Sequence, residues 1–500
     1  MRFQLTVLSI AISTASLFLG GCATEPSLYT GKTGYYGYTW EQELKLGKQS
    51  DKGIVQQMGL YQDDQLATYI RDMGNQLLEY SAIKSETAPE IYRDTEFTFR
   101  LLDSPVVNAF ALPGGYVYVT RGLLAHLENE AQLAVVIGHE ITHVEARHAS
   151  KQALAHQLGQ IGLLAGALIG EQVAENKQLA RDMVNLGGDL FQLASLKYGR
   201  DAERESDAHG VKYAALAGYS AAEGAAFFRS LDRISDKSGQ SIPSWMSSHP
   251  DPGEREKTIP QLAAQWESTA NRNVAVGRER FLEKIDGLIV GENPRNGYTD
   301  KNRFYHPNLK FQFDKPQGWR LQNESGAVYL TDPNKTTMLA FTIAQESSPL
   351  DAARNLQNKL SLQTTYAQDT RINGLPAYSI EGSVATESGS LSLHASFIQF
   401  GKNVFTFLGY GNSTTFPNNI RNVRSVANSF QELANQQALN VQPYRISIEP
   451  AKRSAPFRDL LPSRLPPGTD AQDWAIMNQI DLGTHIERGR LIKLPAERRY

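Results

Sequence analysis

The chain has 500 residues, 41% hydrophobic and 21% charged, with 50 Lys and Arg against 53 Asp and Glu and a formal net charge of −3. That length accommodates roughly two to four domains, each with a core of its own. The balanced charge, without a basic run, speaks against nucleic acid as a partner, and a single cysteine excludes an intramolecular disulfide.

The first residues read as a processing signal. Arg2 supplies a positive start and Leu5 to Leu19 an apolar stretch of secretory length, too short for a stable membrane span. Leu19-Gly20-Gly21-Cys22 follows and resembles a bacterial lipobox. The expectation is a lipoprotein signal peptide over 1–21, lipidation of Cys22, and a mature protein anchored to a membrane in the periplasm. Ala23, where inner-membrane lipoproteins carry aspartate, points to the outer membrane. Residues 22–39, rich in Gly, Ser, Thr and Tyr, read as a tether.

From Trp40 a helical pattern sets in, and a second helix is expected over 63–80, with Leu66, Ile70, Met73 and Leu77 on one stripe. Thr95 to Leu102 alternates as a strand. Asn108 to Leu112 and Tyr116 to Thr120 read as a strand pair joined at Gly114-Gly115, and the first of these suits an edge strand on which an extended peptide docks. Asn129 is a candidate N-cap for a helix running to His148. Within it lies His139-Glu140-Ile141-Thr142-His143. Residues i and i+4 share a helix face, so both imidazoles can grip one Zn²⁺ while Glu140 stands beside it as a general base. Leu158 to Ile169 is apolar but only about twelve residues long, against the roughly twenty a span requires. A further helical pattern covers 179–198.

Two histidines leave a catalytic zinc one protein ligand short. A metzincin would place glycine and histidine where this chain has Ala146 and Ala149. His148 is one residue out of register, and reads as a polar contact near the helix end rather than a ligand. Further on, Glu203-Arg204-Glu205-Ser206-Asp207 resembles the Glu-x-x-Ala-Asp motif of the gluzincin family that includes the CAAX prenyl protease, the membrane protease HtpX and periplasmic quality-control proteases. The resemblance implies Glu203 as third zinc ligand and Asp207 as an acceptor that orients a ligand imidazole. Ser206 stands in place of alanine. Glu205, about 200° from Glu203 on a helix, reads as a solvated carboxylate. Ser248-His249-Pro250-Asp251-Pro252-Gly253-Glu254-Arg255 resembles the Ser-His-Pro…Arg segment of the same family, with Pro252 where threonine is common. By that resemblance His249 reaches the open metal position, either capping an idle site or donating to an oxyanion, and Arg255 orients the segment or the substrate.

These matches place a zinc metallopeptidase domain at 40–275, followed by a helix and linker over 276–304. Residues 305–435 read as an α+β accessory domain of alternating strands with helices near 349–362 and 417–430. Pro316-Gln317-Gly318-Trp319 and Ile372-Asn373-Gly374-Leu375-Pro376 give it a likeness to the photosystem subunit PsbP. His394 reads as structural. Residues 440–500 read as strand, two short helices and strand, similar to a LysM module or else an interaction module. The fold class expected is α+β throughout. The expected activity is zinc-dependent hydrolysis of peptide bonds in misfolded or misassembled envelope proteins, with peptidoglycan as a further candidate partner. The alternative is a chaperone-like outer-membrane assembly factor whose metal site is idle and self-capped.

Overall fold

The computed structural model describes residues 23–155, 198–238, 248–249, 252–270, 274–324, 326–386 and 389–496. The signal peptide, Cys22, the apolar stretch 158–169, nearly all of 179–198, Pro250 and Asp251 lie outside the described residues. The described chain is α+β, as expected.

The segment read as a tether is folded from Ala23 onward. Strands β1 (Ala23–Pro26) and β2 (Thr33–Tyr36) pair antiparallel. Their sequences carry no apolar alternation, so the pattern hid them; side chains hold the hairpin down. Tyr29 donates to Glu145 (2.7 Å), and Arg147 lies 3.7 Å over the Tyr36 ring. Helix α1 (Trp40–Met58) starts at a capping box made by Thr39 and Gln42. Helix α2 (Asp64–Leu78), capped by Asp63, buries the expected stripe of Leu66, Ile70, Met73 and Leu77.

Strands β3 (Thr98–Leu102), β4 (Ala109–Leu112) and β5 (Tyr116–Thr120) form a sheet in the order β3-β5-β4. β3 runs parallel and β4 antiparallel to β5, with the turn at Gly114-Gly115 taking φ of +79° and +94°. β4 is an edge strand among the described residues. After α3 (Arg121–His126) comes α4 (Glu130–Glu145), which Asn129 caps by accepting from the Gln132 amide at 2.9 Å. Every residue of α4 is buried. The helix expected to run on to His148 ends at Glu145, because Arg147 adopts a left-handed φ of 56° before helical backbone resumes at 148–155.

Helices α5 (Arg200–Leu216), α6 (Gly224–Ser238), α7 (Pro252–Ala270) and α8 (Arg278–Ile285) complete the layer around α4. Past β6 (Ile289–Val290), strands β7 (Tyr298–Asp300), β8 (Arg303–His306) and β9 (Phe311–Asp314) form an antiparallel sheet. A seven-stranded antiparallel sheet follows. Its strands are β10 (Arg320–Asn323), β11 (Ala327–Thr331), β12 (Thr337–Ile343), β13 (Gln363–Ile372), β14 (Leu375–Thr386), β15 (Gly389–Phe400) and β16 (Asn403–Asn412). Their order is β10-β11-β12-β16-β15-β14-β13. Helices α9 (Pro349–Leu360) and α10 (Ile420–Asn428) accompany it, close to the expected spans. β13 was not expected: its first seven residues, 363–369, all lie exposed, so no alternation marks it. One aromatic cluster, including Phe311, Phe313, Phe341, Phe405, Phe407 and Phe430, fills this half.

The C-terminal stretch contributes β17 (Gln431–Glu432), β18 (Tyr444–Pro450), α11 (Ala471–Met477) and β19 (Leu491–Pro495). β18 pairs with both β6 and β19. Phe457, Trp474 and Ile492 belong to the same buried cluster as Ile137 and Ile141 of α4, so this stretch and the metal-motif helix share one core. Lys493 fastens the join. Its Nζ donates to the carbonyls of Ala125 (3.1 Å), Met477 (2.6 Å) and Leu127, and lies 3.0 Å from Glu128.

Candidate metal centre

The site depends on how closely two helices cross. A Cβ on Gly138 would stand 2.8 Å from the Gly210 carbonyl oxygen, and one on Gly210 would stand 2.6 Å from the His139 nitrogen. Only glycine at both positions lets α4 and α5 touch backbone to backbone. Glu203, Asp207 and Gly210 are spaced i, i+4 and i+7, so the face of α5 that touches α4 also presents both carboxylates to the histidines.

The ligand atoms then converge. The Nε2 atoms of His139 and His143 are 2.9 Å apart, and each lies 3.5 Å from a Glu203 oxygen. His249 Nδ1 is 3.2 Å from His139 Nε2 and 3.1 Å from Glu203 Oε1. Donors at zinc distances on a tetrahedron stand about 3.3 Å apart, which these separations approximate. His139, His143, Glu203 and His249 are all buried and form a group able to hold a metal ion. Burial keeps His139 and His143 well below the usual histidine pKa, so their lone pairs stay available. The three nitrogens and one carboxylate suit zinc chemically.

Around the donors lies a layer that fixes their orientation. Asp207 Oδ1 is 2.9 Å from His139 Nδ1, and the same carboxylate accepts from Arg255 Nε (2.8 Å) and Nη2 (2.5 Å). Arg255 also reaches Glu203 at 3.2 Å and packs its guanidinium 4.1 Å from the Phe228 ring. Arg255 therefore ties both α5 carboxylates to α7. Glu140 is fully buried, and neither of its carboxylate oxygens has a hydrogen-bond partner among the described residues. Burial raises its pKa to about 7. His249 Nε2 is 3.7 Å away. Burial disfavours a charged His249, but Glu203 and Glu140 outweigh that and raise its pKa.

The structure thus brings His139, Glu140, His143, Glu203, Asp207, His249 and Arg255 together; Cys22 lies outside the described residues. Two contacts differ from expectation. Glu205 is no freely solvated carboxylate: it sits 2.9 Å from His148 Nε2. Tyr198, which no sequence motif singled out, stacks on His143 with ring centroids 4.1 Å apart. Its amide donates to the Ser248 carbonyl at 3.1 Å, next to His249. An aromatic just before a helix has no signature that would have revealed this role.

Paired histidines on one helix, a glutamate from α5 and a buried carboxylate beside them without a hydrogen-bond partner among the described residues define a metallopeptidase centre of the gluzincin kind. Residues 67–263 match the model of peptidase family M48, and the chain carries a metallopeptidase domain of that family. Mitochondrial metalloendopeptidase OMA1 of Arabidopsis thaliana is 29% identical over 253 residues, covering 48% of this chain and 49% of that protein. A putative beta-barrel assembly-enhancing protease of Vibrio cholerae is 29% identical over 258 residues, covering 50% of each. The beta-barrel assembly-enhancing protease of Escherichia coli is 24% identical over 347 residues, covering 66% of this chain and 67% of that one. The chain thus spans about half the length of the first two relatives. Among solved structures, cyanobacterial PsbP of Synechocystis is 18% identical over 26% of this chain, at a TM-score of 0.23.

Proposed function

We propose that the chain is a zinc-dependent endopeptidase of the periplasm, anchored by lipid at Cys22, that cleaves misfolded or misassembled envelope proteins. His139, His143 and Glu203 hold the metal in this reading. What zinc supplies when bound there is a Lewis-acid charge that polarises a peptide carbonyl and acidifies water. Glu140 takes the proton of the attacking water and delivers it to the leaving amine nitrogen. The observation that carries this role is its buried carboxylate, without a hydrogen-bond partner among the described residues and set beside the converging ligands. Asp207 accepts from His139 Nδ1–H and so keeps Nε2 directed at the metal, and Arg255 holds Asp207 and Glu203 in place. The edge strand β4 docks the substrate as an added strand. The envelope as workplace is supported by the lipobox-like Leu19-Gly20-Gly21-Cys22 and by the names of the Vibrio and Escherichia relatives.

A second reading has an observation in its favour. With His249 counted, four protein donors surround one point, and a four-ligand shell leaves no position for water. This is the arrangement of a self-capped assembly factor, or of a peptidase that works only once His249 swings away. His249→Ala separates the roles: faster cleavage marks a cap, slower cleavage an oxyanion donor.

The test of the main reading is Glu140→Gln in the full chain, assayed on casein and on an unfolded outer-membrane protein. The expected result is full zinc content and cleavage lowered by roughly 10²–10⁴-fold. Undiminished cleavage would refute Glu140 as the base.

A further inference from the structure

His143, the second histidine of the motif, is supported by a chain of contacts that leads to the protein surface. Its Nδ1 lies 2.9 Å from His148 Nδ1, and His148 Nε2 lies 2.9 Å from Glu205 Oε2. Ser206 Oγ approaches the same His148 Nδ1 at 3.5 Å. His148 is buried and Glu205 is 34% exposed. Beyond it, Lys151 Nζ stands 3.8 Å away from the carboxylate.

One arrangement of protons satisfies every member. With His143 Nε2 directed at the ligand cluster, its Nδ1–H donates to the lone pair on His148 Nδ1, and His148 Nε2–H donates to Glu205. Both rings are then neutral, and the only charge in the chain is a carboxylate that solvent and Lys151 share. Reversing His148 to the other tautomer would set two N–H groups against each other at 2.9 Å.

The backbone is shaped to make this contact. In an unbroken helix His148 would be five residues on from His143, about 140° around the axis and facing away. The left-handed Arg147 breaks the helix and turns His148 back toward His143. A non-glycine residue in that conformation is strained, and the surroundings hold it there. Arg147 donates to Glu43 (2.7 Å), to the Tyr38 carbonyl (2.6 Å) and to Glu25, and Tyr36 lies beneath its guanidinium. The N-terminal hairpin and α1 thus fix the turn that positions His148.

We infer that His148 and Glu205 are positioning residues that fix the tautomer and ring orientation of His143, as Asp207 does for His139. The two motif histidines are then each backed by a carboxylate of α5, directly in one case and through an imidazole in the other. This rests on the proposed role of His143 as a metal ligand.

The test measures Zn²⁺ affinity by chelator competition, and the visible spectrum of the Co²⁺-substituted full chain, for His148→Ala, His148→Gln, Glu205→Ala and His143→Ala. His148→Ala is expected to weaken zinc binding by roughly 10–100-fold, the usual loss for an outer partner of a ligand histidine, and to alter the Co²⁺ bands. His148→Gln, whose carbonyl can still accept from Nδ1–H, is expected to recover most of the affinity. Glu205→Ala, at a half-exposed position that folding tolerates, is expected to shift affinity in the same direction by a smaller factor. Wild-type affinity and spectrum in His148→Ala or, should that variant not fold, in Glu205→Ala would overturn the inference. His143→Ala separates the two levels. If it too keeps wild-type affinity, the ligand assignment fails; if it alone loses zinc, only the positioning role fails.

Discussion

His249 and His394 are both buried, 1% and 4% exposed, yet their surroundings differ in kind. His394, in the seven-stranded sheet, sets Nδ1 2.8 Å from Glu381 and Nε2 3.0 Å from Ser396, so each ring nitrogen meets a complementary group. A phenylalanine core surrounds that sheet, and the pair is ordinary buried polar bonding. His249 instead joins two other imidazoles and a carboxylate whose acceptor atoms all face one point. Acceptors crowded together without protons between them repel unless a cation lies among them. Convergence, rather than burial or histidine count, separates a metal centre from a structural histidine.

That contrast can be broken in several ways, the most drastic being to remove a ligand. Glu203→Ala should weaken zinc binding by more than the roughly 10–100-fold that loss of an outer partner costs, while Glu381→Ala, beside His394, should leave zinc binding unchanged; chelator competition reads both. Next is the fastening of the C-terminal stretch. Lys493→Ala leaves three carbonyls without their buried donor and Glu128 with Arg278 alone, 2.8 Å away, and should cost about 1–3 kcal/mol in urea unfolding.

Acid should weaken both halves through different histidines. Burial lowers the pKa of His126 and of His306 to about 4, below the unfolded value of about 6.5. The unfolded chain therefore takes up protons that the folded chain refuses. Each histidine contributes stability that is present above pH 6.5 and is lost as pH falls toward 4, by about 1–3 kcal/mol. Unfolding followed across that range should show the loss, and His126→Asn should flatten its share. An effect of similar size is expected from Gly138→Ala. The added methyl meets α5 backbone at 2.8 Å and should cost about 1–3 kcal/mol, with zinc affinity falling as His139 is pushed from Asp207. A Gly138→Ala chain as stable as wild type, with unchanged affinity, would mean the crossing is looser than described.

The sequence made part of this centre legible. His139, Glu140 and His143 follow from helical spacing, because one element carries all three. Glu203, Asp207, His249 and Arg255 lie on other segments, and only a resemblance to family motifs pointed to them. The contact at Gly138 and Gly210 left no such trace, since a glycine inside a helix does not announce what it touches. His148 was legible only as a polar contact near the helix end, without its partner, and Glu205 was left in solvent because periodicity describes one helix and not its neighbour. Likewise nothing in the sequence marks Lys493, whose role shows only where its Nζ meets the Ala125 carbonyl of α3.

The central claim is that these residues form one metal site, and X-ray absorption at the zinc edge of the full chain tests it most directly, together with the zinc content. The account predicts one zinc per chain in a shell of nitrogen and oxygen only, with imidazole scattering that diminishes in His143→Ala. A chain that binds no zinc, or whose spectrum is the same in His143→Ala and wild type, would contradict it.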